Sequence, residues 1–263
     1  MKIFLLGGTK DSINIIKHIK ENYNAHILTT TTTEYGAKLA REGGSDETIA
    51  KPLLKNEIME ILIKGHFDLL IDATHPFASH ITQTSVSIKN ELEIPYIRFE
   101  RPTTNFENMD TSHIRYVNSF DEAGKLIKDE FHEGNVLHFA GANTMEDVLK
   151  YVPSERFYPR ILKVESSLEK CEKLNVDPNH IIPMTGAATK EENLELIEKY
   201  DACVMITKES GEIGGVIEKI EASNEKDIAV IMIQRPKIDD LNKNDIVSNL
   251  DELDIKLNTF FKK

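Results

Sequence analysis

Lys2-Ile3-Phe4-Leu5-Leu6-Gly7-Gly8-Thr9-Lys10-Asp11 reads as a strand that stops at a glycine turn and runs straight into a helix, the opening unit of an α/β chain. Lys2 to Leu6 is a strand-sized apolar run, and from Asp11 to Asn22 the residues Ile13, Ile16 and Ile19 recur at helical spacing. Glycine at the turn lets a ligand approach the backbone, and the helix amides beyond it face an anion. Past this unit, Ala25 to Thr30 reads as a second strand and Glu34 to Arg41 as a short helix. Ile58, Ile61 and Leu62 mark a further helix, Asp68 to Asp72 a buried parallel strand, Ser79 to Leu92 a helix, and Ile94 to Phe99 a strand.

Strands alternating with helices imply a parallel sheet with right-handed crossovers. Around Arg101 to Asn108 the periodicity lapses into Pro, Thr and Asn, which marks a linker. The alternation then resumes. Ser119-Phe120-Asp121-Glu122 is a capping box opening a helix to about residue 130, and Val136 to Phe139 is a strand. Thr189-Lys190-Glu191-Glu192 is a second capping box, opening a helix to about Tyr200; the strand Ala202 to Thr207, the helix Val216 to Glu225, the strand Ile228 to Ile233 and a helix over Asp251 to Phe261 follow. The expected fold is α/β in two domains, a Rossmann-like one over residues 1–104 and a second α/β one over 105–263, each a parallel sheet flanked by helices, with strand-end loops converging on an enzyme cleft.

Composition narrows the function. With 263 residues, 40% hydrophobic and 29% charged, the chain is an ordinary globular protein, and its longest apolar runs are strand-sized, so no membrane span is expected. The short apolar run at Met1 to Leu6 stops at Gly7-Gly8, too soon for a secretory h-region, so the cytoplasm is the expected location. A net charge of −12 argues against nucleic acid as a partner. Any anionic substrate then needs a local cluster of cations, because salt screens the overall field beyond about 10 Å. The two cysteines, Cys171 and Cys203, lack C-x-x-C spacing, and the nine histidines form no H-E-x-x-H pattern, so no protein-bound metal is expected.

Three segments end strands with ligand-type turns. Gly7, Gly8, Thr9 and Lys10 form the first, although the full G-x-G-x-x-G pattern is missing and a Gly-Gly turn also serves tight geometry alone. The second strand ends in threonines, so Thr30 and Thr31 stand where an acidic residue would select the ribose hydroxyls, and NADH is not distinguished from NADPH. Asp72-Ala73-Thr74-His75-Pro76-Phe77 puts polar side chains at a crevice; the bland alternative is that Asp72 and Thr74 cap the next helix and Pro76 fills its first turn. His75 is suited to donating a hydrogen bond or a proton, since the unperturbed pKa of an imidazole lies near neutrality. Lys208 to Lys219 offers a lysine at a strand end, then Ser210, Gly211, Gly214 and Gly215, and a second lysine, Lys219, beyond the loop; without G-K-[ST] it is no Walker A motif, and a solvated connection is the alternative. Arg98, Arg101 and Arg235 follow apolar strands, the last two in Arg-Pro dipeptides that fix the chain just after the guanidinium.

With these residues in place the chain resembles the precorrin-6A reductase family of corrin biosynthesis, which includes the cobalt-precorrin-6A reductases of the anaerobic route. The resemblance spans nearly the whole chain and rests on Leu6-Gly7-Gly8-Thr9, Glu34-Tyr35-Gly36, Asp72 to Ala78, Ile94 to Arg98 running into Arg101-Pro102, Thr207 to Gly211 with Gly214-Gly215 and Glu218-Lys219, and Arg235-Pro236. It implies hydride transfer from NADPH or NADH to a double bond of a tetrapyrrole, with nucleotide and macrocycle held between two Rossmann-like domains. The polycarboxylate substrate would then meet Arg98, Arg101, Lys208, Lys219 and Arg235. For the accompanying proton His75 is the first candidate, Lys208 the second, and solvent the third. Two departures bear on the pocket wall: Thr103-Thr104 stands where many relatives carry a Trp, and Gly186-Ala187-Ala188 replaces a Gly-Pro-Phe turn. Two competing readings remain, an S-adenosylmethionine-dependent methyltransferase and a two-lobed small-molecule binding protein. Oligomeric state is not legible.

Overall fold

Residues 1–261 are described in the computed structural model, the side chain of Ile213 excepted. In chain order the first unit begins with β1 (Lys2–Leu6), α1 (Lys10–Asn22), β2 (His26–Thr31), α2 (Glu34–Glu42), β3 (Glu47–Ala50), α3 (Lys55–Gly65), β4 (Leu69–Asp72), α4 (Ser79–Leu92) and β5 (Tyr96–Phe99). The second unit comprises β6 (Ile114–Val117), α5 (Phe120–Glu130), β7 (Asn135–His138), α6 (Met145–Leu149), β8 (Phe157–Ile161), α7 (Glu165–Lys173), β9 (Ile182–Pro183), α8 (Lys190–Lys199), β10 (Ala202–Lys208), α9 (Val216–Glu225) and β11 (Ala229–Ile233). The chain then adds β12 (Ile246–Val247) and α10 (Leu250–Phe260).

The first sheet has the order β3-β2-β1-β4-β5-β12, every pair parallel. Period-two alternation sorts β1 onto two cores. Ile3 and Leu5 face Ile15, Ile16 and Ile19 of α1 and Leu253 and Leu257 of α10, while Phe4 and Leu6 face Ile58 and Leu62 of α3 and Val86 of α4. The second sheet repeats the plan in the order β9-β8-β7-β10-β11-β6, again parallel.

In each sheet the outermost strand comes from an unexpected place. β6 follows β5 in the sequence yet pairs with β11, and β12 follows β11 yet pairs with β5, Ile246 opposite Arg98. The first unit is therefore Met1–Pro102 plus the chain from Pro236 onward, and the second is Thr103–Arg235. This differs from the expected division into 1–104 and 105–263. The tail pairs with β5, and its apolar face, Leu253 and Leu257, is buried against Ile3 and Ile15.

Candidate active site

In an open α/β sheet ligands bind beyond the carboxyl ends of the strands, where the strand order reverses. In the first unit that point lies between β1 and β4, and a cavity of about 330 Å³ opens there. Gly7, Gly8, Thr9, Thr30, Thr31, Thr74 and His75 line it, so three separate segments named from the sequence meet in one place. Lys10 is exposed in the first turn of α1, and Pro76 is buried in the loop after β4; neither is on the lining. Gly8 has φ +100 and open space where a Cβ would stand, a backbone that an L side chain rarely adopts. Thr9 caps α1, accepting from Ser12 N–H at 3.0 Å, and its hydroxyl donates to Ala73 O at 2.8 Å, tying the two loops of the crevice together.

The threonine run divides its labour. Thr29 bonds Ser45, Thr30 to Thr32 face the cavity, and Thr33 caps α2 by accepting from Gly36 N–H. Thr32, Lys51, Pro52, Leu53, His80 and Ile81 also line the cavity and were not among the expected site residues; Lys51 to Leu53 follow β3, which is short, half-exposed and not recognisable as a strand.

The loop after β4 is held from inside. Asp72, fully buried, accepts from Thr74 N–H at 3.0 Å, Thr74 Oγ1 at 2.6 Å and Arg98 Nη1 at 2.8 Å. Arg98 lies opposite Asp72 in the β4–β5 register and is 1% exposed. Asp72 raises the Arg98 pKa against the lowering effect of burial, and burial with the same carboxylate pushes the Tyr96 hydroxyl up. Arg98 was expected at the substrate; here its charge is balanced by Asp72 and by Glu100 at 3.4 Å, and it buttresses the loop that carries His75. Neither Asp72 nor Thr74 caps α4, whose N-cap is Ala78 without a side-chain bond. His75 Nδ1 accepts from Phe77 N–H at 3.2 Å, so the neutral ring carries its proton on Nε2. Arg101 pairs with Asp11, in the first turn of α1, at 2.8 Å.

The remaining predicted residues belong to the second unit. Its reversal point lies between β7 and β10, and Lys208, at the end of β10, donates to Ala140 O at 2.8 Å just past β7. Burial lowers the Lys208 pKa to about 8. In the loop beyond, Gly211 (φ +75) and Gly215 (φ +67) take left-handed backbone, and a Cβ on Gly214 would stand 1.9 Å from Ser210 Oγ. Glu209, given no role of its own from the sequence, is buried and accepts from Thr104 N–H, Thr104 Oγ1 and Gly211 N–H at 2.9, 3.0 and 3.2 Å; it pairs with Arg235 at 2.5 Å. Lys219 is 2% exposed and donates to Gly214 O at 2.8 Å, and burial with the nearby Arg160 lowers its pKa to about 7. His138, fully buried beside Phe120 and Phe157, was also missed; desolvation and then Lys208 lower its pKa to about 3. Among the described residues no three His, Cys, Asp or Glu side chains gather as a metal site, and no helix is long and apolar enough to cross a membrane.

Known proteins share this layout. A cobalt-precorrin-6A reductase of Methanothermobacter thermautotrophicus is 38% identical over 254 residues, 96% of this chain and 82% of that protein. Another, from Methanocaldococcus jannaschii, is 40% identical over 240 residues, 91% of this chain and 92% of that protein. The solved structure of the precorrin-6A reductase CobK superposes with a TM-score of 0.76 at 17% identity, covering 99% of this chain and 97% of that one, which confirms the fold. The family model for precorrin-6x reductase CbiJ/CobK matches residues 2–255, across both sheets and every loop discussed above, and the chain belongs to that family.

Proposed function

We propose that this chain is a reductase of cobalt-precorrin-6A, giving the 6B product by hydride transfer from a nicotinamide dinucleotide, NADPH or NADH, to a double bond of the macrocycle. Family membership implies a reductase and hence a nicotinamide cofactor, and the relatives' names supply the cobalt-containing substrate. The observation that carries the reading is the cavity at the β1–β4 reversal point, lined by Gly7, Gly8, Thr9, Thr30, Thr31, Thr74 and His75.

These residues suit a dinucleotide. The open backbone at Gly8 and the first turn of α1, with Lys10 beside it, favour a pyrophosphate, and the hydroxyls of Thr30 and Thr31 suit a ribose whether or not it is phosphorylated. When bound, the nucleotide supplies the hydride; the protein's work is orientation and exclusion of water. Thr74, His75 and Pro76 stand on a loop stiffened by the Asp72–Arg98 pair, which suits the positioning of a reacting ring. Ser210, Gly211, Gly214 and Gly215 form a second backbone cradle for the cofactor, and Arg101, Lys208 and Arg235 receive carboxylates of the substrate. His75, with its proton on Nε2, is the first candidate to protonate the neighbouring macrocycle atom, and Lys208, lowered to about 8, is the second. A cytoplasmic setting goes with this reading, since both cysteines are free thiols and a reduced nucleotide pool is needed.

The test is anaerobic absorbance of the purified protein with cobalt-precorrin-6A or its metal-free form, with NADH and NADPH in separate cuvettes. Nucleotide-dependent bleaching of the long-wavelength macrocycle band is expected, and the active cuvette names the cofactor. Folded protein that bleaches neither substrate with either nucleotide sinks the proposal.

A further inference from the structure

The five cations expected at the substrate do not present equal charge. Arg98, Arg101 and Arg235 each lie within ion-pair distance of a buried or nearly buried carboxylate, Asp72, Asp11 and Glu209. A different pair in the second unit is without such a partner. Arg160, at the carboxyl end of β8, is half-buried; its guanidinium lies 4.6 Å from the Phe139 ring centre and 3.4 Å from Met184 Sδ. Lys219, in α9, is buried and, among the described residues, donates to the Gly214 carbonyl alone. Among the described residues neither has a carboxylate within 4.0 Å, and the nearby Glu192 and Glu218 act on them only at longer range. Glu218 keeps a buried oxygen, Oε2, without a hydrogen-bond partner.

This arrangement is costly for a folded chain. Two like charges are withdrawn from water close enough that Arg160 depresses the Lys219 titration, and burial lowers the Arg160 pKa as well. Lys219 also sits near the N-terminus of α9, the positive end of the helix, where a cation is disfavoured and an anion is welcome. That end has no side-chain cap, because its N-cap is Gly215. Ala187, in the loop after β9, packs there too, 2.9 Å from where a Gly215 Cβ would lie. A guanidinium, an ammonium and a helix terminus thus converge beyond the strand ends of the second sheet, and among the described residues no carboxylate forms an ion pair with either cation; Glu192 and Glu218 act only at longer range.

Resting on the reductase reading, we infer that Arg160, backed by the charge of Lys219, is the socket for a carboxylate side chain of the macrocycle and so helps determine substrate specificity. Arg160 makes the direct fork-to-carboxylate contact, and Lys219 sets the local potential while holding the loop at Gly214.

The experiment titrates nucleotide-free protein with uroporphyrin, a tetrapyrrole octacarboxylic acid, and with its octamethyl ester, following porphyrin fluorescence. Wild type, Arg160→Met, Lys219→Met and Arg160→Lys are compared, with the thermal midpoint of each free protein. The expected result is a Kd about tenfold or more weaker for uroporphyrin in Arg160→Met, a smaller loss in Lys219→Met, partial recovery in Arg160→Lys, and no preference of wild type for the ester. The free Arg160→Met protein keeps or raises the wild-type midpoint, because a charge without a partner has been removed. In turnover, the KM for the macrocycle rises while the KM for the nucleotide holds. Wild-type affinity in both Met variants overturns the socket, as does weakened binding accompanied by a lowered midpoint. If wild type binds uroporphyrin through Arg160 but reduces no macrocycle, the reductase reading fails and the socket stands. If the protein turns over but Arg160→Met leaves the macrocycle KM unchanged, the socket fails and the reductase reading stands.

Discussion

Asp72 and Arg98 show how a single pair of side chains serves a site without touching its contents. Each is withdrawn from water, and each makes burial of the other tolerable. Removing one partner leaves the other as an uncompensated buried charge, so Arg98→Met is expected to destabilise the protein by about 3–5 kcal/mol, measured by urea unfolding. A loss under about 1 kcal/mol, with an increased KM for the macrocycle, would return Arg98 to the substrate. His138 makes a second prediction of the same kind. Its folded-state pKa, about 3, lies below the unfolded value of about 6.5, so the folded state binds fewer protons between those limits. Its neutral burial therefore costs nothing above the unfolded pKa, and stability is lost as pH falls through 6.5 toward 3. His138→Gln should flatten the unfolding free energy against pH across that window relative to wild type; superimposable pH profiles would show that His138 is not the group responsible.

Among the helices and strands, caps and turns account for what was legible. α8 carries the full capping box expected of Thr189 and Glu192, and Thr189→Ala should cost about 1 kcal/mol in thermal or chemical unfolding. The box at Ser119 is only half formed: Ser119 accepts from Glu122 N–H, but the Glu122 carboxylate takes Asn118 N–H instead of the Ser119 amide. Gly8→Val is expected to weaken nucleotide binding by about tenfold or more, because its backbone sits at φ +100 on the cavity wall; fluorescence titration with NADPH and NADH reads this. Long, alternating segments such as β1, α4 and α9 were readable because period and burial agree there. β8 was not, since Pro159 in Phe-Tyr-Pro-Arg-Ile argues against an interior strand, yet Pro159 pairs opposite His138. Arg160 stayed hidden in that unread stretch. Arg98 was visible, but its pairing with Asp72 was not, because only the register sets that carboxylate across from it. Gly8, Gly211 and Gly215, in contrast, were legible as turn glycines, and each takes positive φ.

Across the molecule, the exchange of outer strands governs stability. The chain from Pro236 onward supplies β12 to the first sheet, and α10 covers Ile3 and Ile15 with Leu253 and Leu257. A chain ending at Arg235 should therefore lose the first unit's cooperative unfolding and expose apolar surface, seen as dye binding and aggregation. The second unit is one continuous segment with its own six strands, so residues 103–235 expressed alone should retain a helix-and-sheet circular dichroism spectrum and a cooperative melt. A non-cooperative melt of that fragment would mean the unit depends on the rest of the chain. Neither property was legible from composition or periodicity, because a two-residue strand such as Ile246–Val247 carries too little pattern to declare its partner.

The same exchange sets an order of events on the ribosome. β5 is complete at Phe99, but its neighbour Ile246–Val247 is made only after the whole of the second unit. At about 5–20 residues per second, the edge of the nascent first sheet waits on the order of 7–30 s for its partner, while the second unit can close first. The half of the protein that is begun earliest is thus finished latest, and the interval in which an open strand edge meets other nascent chains is written into the topology.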